Sequence, residues 1–97
     1  MTRAIALAVL LIGPSTACVN DLSVAQSKAA SCMACHGQAG TSNNDQWPNL
    51  AGQKKGYLVA QLQAYRSGKR KDVMMSPMAK KLTDKDIEIL ARYFSEQ

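Results

Sequence analysis

Apolar and polar positions divide the chain into an apolar head, three helical patterns and two polar stretches. Met1-Thr2-Arg3 is a short basic start, and Ala4 to Ile12 is an unbroken apolar run closed by Gly13-Pro14. The run is too short to cross a bilayer as a helix. It has the layout of a secretory signal, with small residues at Ser15, Thr16 and Ala17. Beyond it, Leu22, Ala25, Ala29 and Cys32 recur at helical spacing, with Asn20 or Asp21 as cap and Gly37 as stop. This predicts a first helix ending at about Cys35. A second helix is expected over Gln53 to Ser67. There Tyr57, Leu58, Leu62 and Tyr65 form the apolar face, Lys54, Lys55, Gln63 and Arg66 look outward, and Gly68 is the stop. The third starts at Thr83, with Asp86 at the capping-box position, and carries Ile87, Leu90, Ala91 and Phe94 as a buried stripe.

Residues 37–52 are rich in Gly, Asn, Ser and Thr and read as loop. Residues 68–82 read as a second loop, carrying Met74, Met75, Pro77 and Met78. Pro77 fixes its own φ and drives Ser76 towards extended shapes, so no helix is expected through Met75. Neither strand alternation nor an internal repeat is seen. The class is all-α, with three main helices and long loops in one domain.

Composition changes this picture in one respect. The chain has 97 residues, and removing the leader leaves about 80, a size that buries little apolar surface and often needs a staple. One Trp, three Tyr and one Phe are few for such a core, as fits a domain built around a flat apolar cofactor.

The candidate staple is Cys32-Met33-Ala34-Cys35-His36. It reads C-x-x-C-H, the attachment signature of c-type haem. At the end of a helix, cysteines three apart share a face, so both sulfurs can form thioethers with one porphyrin. His36, one residue on, is placed to give the iron an imidazole nitrogen. Two alternatives fit less well. A redox dithiol normally follows a strand in a βαβ pattern, and a structural zinc site needs four ligands, usually from two such pairs.

His36 is the single histidine, so a second histidine ligand within the chain is impossible. Methionine, lysine, an open position or an outside ligand remain. Met1 leaves with the leader, and Met33 sits between the two cysteines, on the wrong side. Met74, Met75 and Met78 lie about 40 residues past the motif, far enough for their loop to cover the opposite haem face. At least one of them is expected only to pack.

The charge is +5. Lys54-Lys55, Lys69-Arg70-Lys71 and Lys80-Lys81 are either a solvated surface or a docking face for an acidic redox partner. Nucleic acid is not expected, because the basic runs lack interleaved aromatics and a binding motif. Cleavage after Ala17 makes 1–17 the signal peptide and leaves 18–97 as the monohaem domain. Cutting at the other small-x-Ala site, Ser23-Val24-Ala25, would remove half of the first helix. Cys18 is then the first mature residue. A lipid there would be the one membrane attachment, although Ser15 occupies the position where a lipobox usually has an apolar residue. The competing reading is a periplasmic protein without a lipid.

Several separated motifs occur in order. They are Cys32-x-x-Cys35-His36-Gly37, Trp47-Pro48-Asn49-Leu50-Ala51-Gly52-Gln53, Tyr57-Leu58-x-x-Gln61-Leu62, the Met-rich loop, Leu82-Thr83-Asp84-x-Asp86-Ile87 and Leu90-Ala91-x-Tyr93-Phe94. In these the chain resembles class I cytochrome c, in particular the small bacterial cytochrome c-553 and cytochrome c-4 group, over nearly all of residues 21–97. The resemblance implies the cytochrome c fold, one covalent haem c per chain and haem attachment outside the cytoplasm. It further implies a hydrogen bond from His36 to the Pro48 carbonyl and a crossing of first and last helices at Ala25 and Tyr93. Counting back seven residues from Leu82, it points to Met75 as axial sulfur, with Met78 as runner-up and Met74 third. The function so implied is one-electron transfer with no catalytic residues. The alternatives are an electron-transfer subunit of a larger oxidoreductase, and a haem enzyme or gas binder with an open sixth site.

Overall fold

The computed structural model describes Met1, residues 4–13 and residues 16–97, the side chains of residues 16–20 excepted. Among the described residues four α-helices follow in order: α1 (Thr16–His36), α2 (Lys55–Ser67), α3 (Met75–Lys80) and α4 (Asp84–Ser95). A single 3-10 turn, Gln38–Gly40, follows α1, and no strand occurs among the described residues.

The core forms where α4 meets α1 and α2. Its buried members are Ala25 and Ala29 from α1, Leu58 from α2, and Leu90, Ala91, Tyr93 and Phe94 from α4. The two alanines present almost no side chain, so α4 can lie close against α1 there. The expected crossing of Ala25 and Tyr93 thus falls inside this cluster. Phe94 meets Tyr93 edge to face, with ring centroids 5.1 Å apart. Ile87 and Leu90 are the large side chains most completely removed from water. At about 25 cal/mol per Å² of apolar surface, a core of this size yields little margin without help.

α4 starts as its sequence predicts. The Thr83 hydroxyl accepts the Asp86 amide at 3.1 Å, and the Asp86 carboxylate accepts the Thr83 amide at 3.0 Å. This is a capping box. Three cations from the other helices meet acids on the first turns of α4: Lys28 with Asp86 at 2.5 Å, Arg66 with Asp84 at 2.6 Å, and Lys55 with Glu88. Lys28 and then the Thr83 amide hold the Asp86 carboxyl down at about 2.

Four expectations need correction. α1 begins at Thr16, ahead of the Asn20 or Asp21 cap. Helical φ/ψ simply continues through those positions, which short polar side chains do not forbid. The side chains of Ala17, Cys18 and Asn20 lie outside the described residues, as does Ser15, and with them the lipid-anchor question. Leu22 and Tyr57, placed on apolar faces, are 53% and 50% exposed. Lys55 and Arg66, placed outward, are half-buried against α4.

The fourth correction concerns residues 68–82, read as loop throughout. Met75–Lys80 is helical. Pro77 sits at the third position of α3, inside the first turn, where no amide is needed for the helix ladder. A proline there is compatible with helix, and Ser76 adopts helical geometry despite the steric bias against it.

Candidate haem-attachment site

The last turn of α1 carries Cys32, Cys35 and His36. Cys32 and Cys35 are free thiols, each half-buried. Burial pushes the Cys32 thiol above its ordinary value, and the neighbouring Cys35 adds to the rise. Among the described residues, no three His, Cys, Asp or Glu side chains come together as a metal cage, which a zinc site would require. Met33 packs against the core cluster, on the inner side of α1.

His36 is buried, with 8% of its surface exposed. Its Nδ1–H donates to the Pro48 carbonyl at 2.7 Å. A carbonyl only accepts, so the proton is on Nδ1 and the lone pair on Nε2. This tautomer suits a metal-binding imidazole whose ring is steadied by a second contact.

The segment that carries Pro48 to His36 is shaped by backbone geometry. Gly37 ends α1 at φ +82°, and a Cβ there would lie 1.9 Å from the Thr41 carbonyl oxygen. Gly40 is buried at φ +84°, and a Cβ would meet the Phe94 ring at 2.7 Å and the Ala51 amide at 2.9 Å. Its carbonyl accepts the amides of Leu50 at 2.8 Å and Ala51 at 3.1 Å, which closes the loop behind Pro48. The Asn49 Oδ1 accepts the Ser42 amide at 2.6 Å, tying the two sides of the loop directly beside Pro48. Ser42 was not singled out from sequence, and Asn49 appeared only inside the Trp47–Gln53 motif with no role of its own. Their signal is a Ser and an Asn flanking a polar turn, which is common in loops and carries little information.

The methionine segment is organised differently. The Asp72 carboxylate accepts the amides of Met74 and Met75, each at 2.8 Å. These bonds, Met75 first, hold the Asp72 carboxyl below its ordinary value. Arg66 donates to the Leu82 carbonyl at 3.2 Å, and Arg70 lies over the Tyr65 ring at 4.6 Å while donating to Gln61 at 2.7 Å. The segment is therefore fastened to α2 at both ends. Met75 is half-buried, whereas Met74 is 61% and Met78 37% exposed.

Two thiols and a free imidazole nitrogen on one helix turn form a donor set that suits a covalently held haem. Comparison with known proteins agrees. The family described as Cytochrome c matches residues 24–96. Cytochrome c-554(548) of Halomonas halodenitrificans is 41% identical over 80 residues, covering 79% of this chain and 96% of that protein. Cytochrome c4 of Pseudomonas aeruginosa is 40% identical over 77 residues, covering 79% of this chain but 38% of that protein. Among solved structures, an Acidithiobacillus ferrooxidans cytochrome c4 superimposes with a TM-score of 0.71 at 30% identity, covering 79% of this chain and 50% of that one.

The chain belongs to the cytochrome c family, and its fold is the cytochrome c fold. Covalent haem c follows from that membership together with the cysteines at 32 and 35, and so does electron transfer through it. The chain matches about two-fifths of the length of the cytochrome c4 relative and nearly all of the cytochrome c-554(548) relative.

Proposed function

We propose that the chain is a one-electron carrier in which Cys32 and Cys35 hold the haem as thioethers. In this reading His36 Nε2 and the Met75 thioether would hold the iron, with Met78 the runner-up. The observation that carries the reading is the His36–Pro48 hydrogen bond, which commits one ring nitrogen and leaves the other for iron. When bound, the haem supplies a reversible one-electron couple. The chain's part is to keep both ligands in place through oxidation and reduction. Pro48 orients the imidazole and raises its basicity. Met75 is favoured over its neighbours by the family resemblance, standing seven residues before Leu82, and Met74 is the most exposed of the three at 61%. Ligation by His and Met raises the potential of cytochromes c as a class. With His36 and Met75 both committed to the iron, no position would be open to a substrate. His36 is the single histidine, and the reading gives no side chain a catalytic role.

Export of the chain with residues 1–17 removed is part of the same reading. Ile5 to Ile12 include large apolar side chains 77% to 91% exposed, as suits a leader that is no part of the domain. No helix among the described residues is long and apolar enough to cross a membrane. The partner would be a redox protein with an acidic docking surface. Lys28, Lys55 and Arg66 are committed to acids on α4, while Lys69, Lys71, Lys80 and Lys81, which bracket Met75 in sequence, are exposed. Such a group of cations speeds encounter with an acidic face. A role as the electron-transfer part of a larger assembly is supported by the cytochrome c4 relative, in which a similar unit makes up under half of the protein.

Mass spectrometry of the mature protein tests the reading. One haem should be retained through acid and organic extraction, and the N-terminus should be at Cys18. The same preparation should titrate as a single reversible one-electron couple. Extractable haem would contradict the reading, and so would turnover with peroxide at enzymatic rates.

A further inference from the structure

α3 is a six-residue helix, too short to persist on its own. A helix leaves its first amides without partners. Here each of the first three positions has its own solution. The Met75 amide donates to the Asp72 carboxylate at 2.8 Å. The Ser76 amide donates to the Asp72 carbonyl at 3.1 Å. Pro77, in third place, has no amide to satisfy. Asp72 also takes the Met74 amide at 2.8 Å, and its own amide donates to the Ser76 hydroxyl at 2.9 Å. The residue formally preceding the helix, Met74, offers no side-chain cap. Asp72 therefore closes the start of α3 from three residues upstream of Met75.

We propose that Asp72 is a positioning residue for the distal ligand: by clamping the Met74 and Met75 amides it keeps the Met75 thioether at the iron. This rests on the reading of Met75 as the axial sulfur. A thioether is a weak ligand, so its occupancy follows the local stability of the segment that carries it. Local openings expose such segments without global unfolding. Loss of a carboxylate cap changes that opening by roughly a factor of ten. An added ligand captures the opened state, so its rate of binding reports how often the clamp lets go.

The test uses the full haem-loaded chain in its oxidised form, with cyanide as the probe. Asp72→Ala should bind cyanide about tenfold faster than the parent and show a weaker methionine–iron band in the red. Asp72→Asn keeps an oxygen that accepts the same amides, and should stay within about twofold. Glu88→Gln removes an ion pair elsewhere, between Lys55 and α4, and should leave the rate unchanged. An unchanged rate in Asp72→Ala overturns the proposal, and so does an equal acceleration in Glu88→Gln, which would mean a general loss of stability. If Asp72→Ala fails to load haem, amide exchange in the parent decides. Protection at Met74 and Met75 supports the clamp, and exchange at free-peptide rates overturns it. Met75→Ala is run alongside. Loss of the red band there with no effect in Asp72→Ala contradicts the clamp alone, while a retained band contradicts the ligand assignment beneath it.

Discussion

The segment after α1 and the segment before α4 hold His36 and Met75, the two iron ligands of the proposed reading, by different means. The first fixes His36 mainly through backbone: a carbonyl on the ring nitrogen, two glycines at positive φ, and a loop closed on the Gly40 carbonyl, with one side-chain tie at Asn49. The second fixes Met75 through side chains: the Asp72 carboxylate at one end and the Arg66 guanidinium at the other. Backbone closure admits few alternatives, since a glycine at positive φ in tight quarters accepts no substitute. Side-chain closure rests on an exposed Asp72 and a half-buried Arg66, and each can be exchanged singly. The histidine side is rigidly specified at Gly37 and Gly40, and the methionine side has a grip that single side chains can tune.

The largest expected effect is on the histidine side. Gly37→Ala would place a Cβ 1.9 Å from a backbone oxygen while holding a left-handed φ. Strain and overpacking together should cost about 3 kcal/mol or more. The denaturant midpoint of the haem-loaded protein measures this. A midpoint within error of the parent would show that the loop has more freedom than the comparison allows.

A smaller effect is expected at the frame that both sides share. Asp86 is held at about 2 by Lys28 and the Thr83 amide, below the ordinary carboxylate value of 3.8. A depressed folded-state pKa contributes stability that is complete above the unfolded value and lost as pH falls towards the folded one. Thermal midpoints should therefore drop between about pH 4 and pH 2. Asp86→Asn should lower the midpoint near neutrality and flatten the acid limb relative to the parent. Identical acid limbs in the two proteins would show that the Lys28–Asp86 pair does not link α1 to α4.

How much of this was legible in sequence differs along the chain. α4 was legible in full, because Thr83, Asp86 and the stripe Ile87, Leu90, Ala91, Phe94 combine a start signal with a period. The stop of α2 at Gly68 was legible for the same kind of reason, a glycine in the left-handed conformation. The C-x-x-C-H pentad announced its own chemistry. α3 was not legible. Six residues are too few to display a period, and Pro77 argued against helix through a rule that does not apply in a first turn. Its actual signal, Asp72 with Ser76 four residues on, is not among the usual capping patterns, because the carboxylate acts from before the residue that formally caps the helix. Leu22 and Tyr57 were misplaced because spacing says which residues share a face, not whether anything covers that face.

In the proposed reading the methionine segment holds the iron through Met75. The most direct measurement of this is the red methionine–iron absorption band of the oxidised protein in Met75→Ala and Met78→Ala. The expected result is loss of the band, a lower reduction potential and cyanide access in Met75→Ala, with the band kept in Met78→Ala at some cost in packing. A band abolished by the Met78 change and kept after the Met75 change would contradict the assignment. A band kept in both would leave Met74 as the loop methionine still to be changed, and its survival there too would remove this segment from the ligand set.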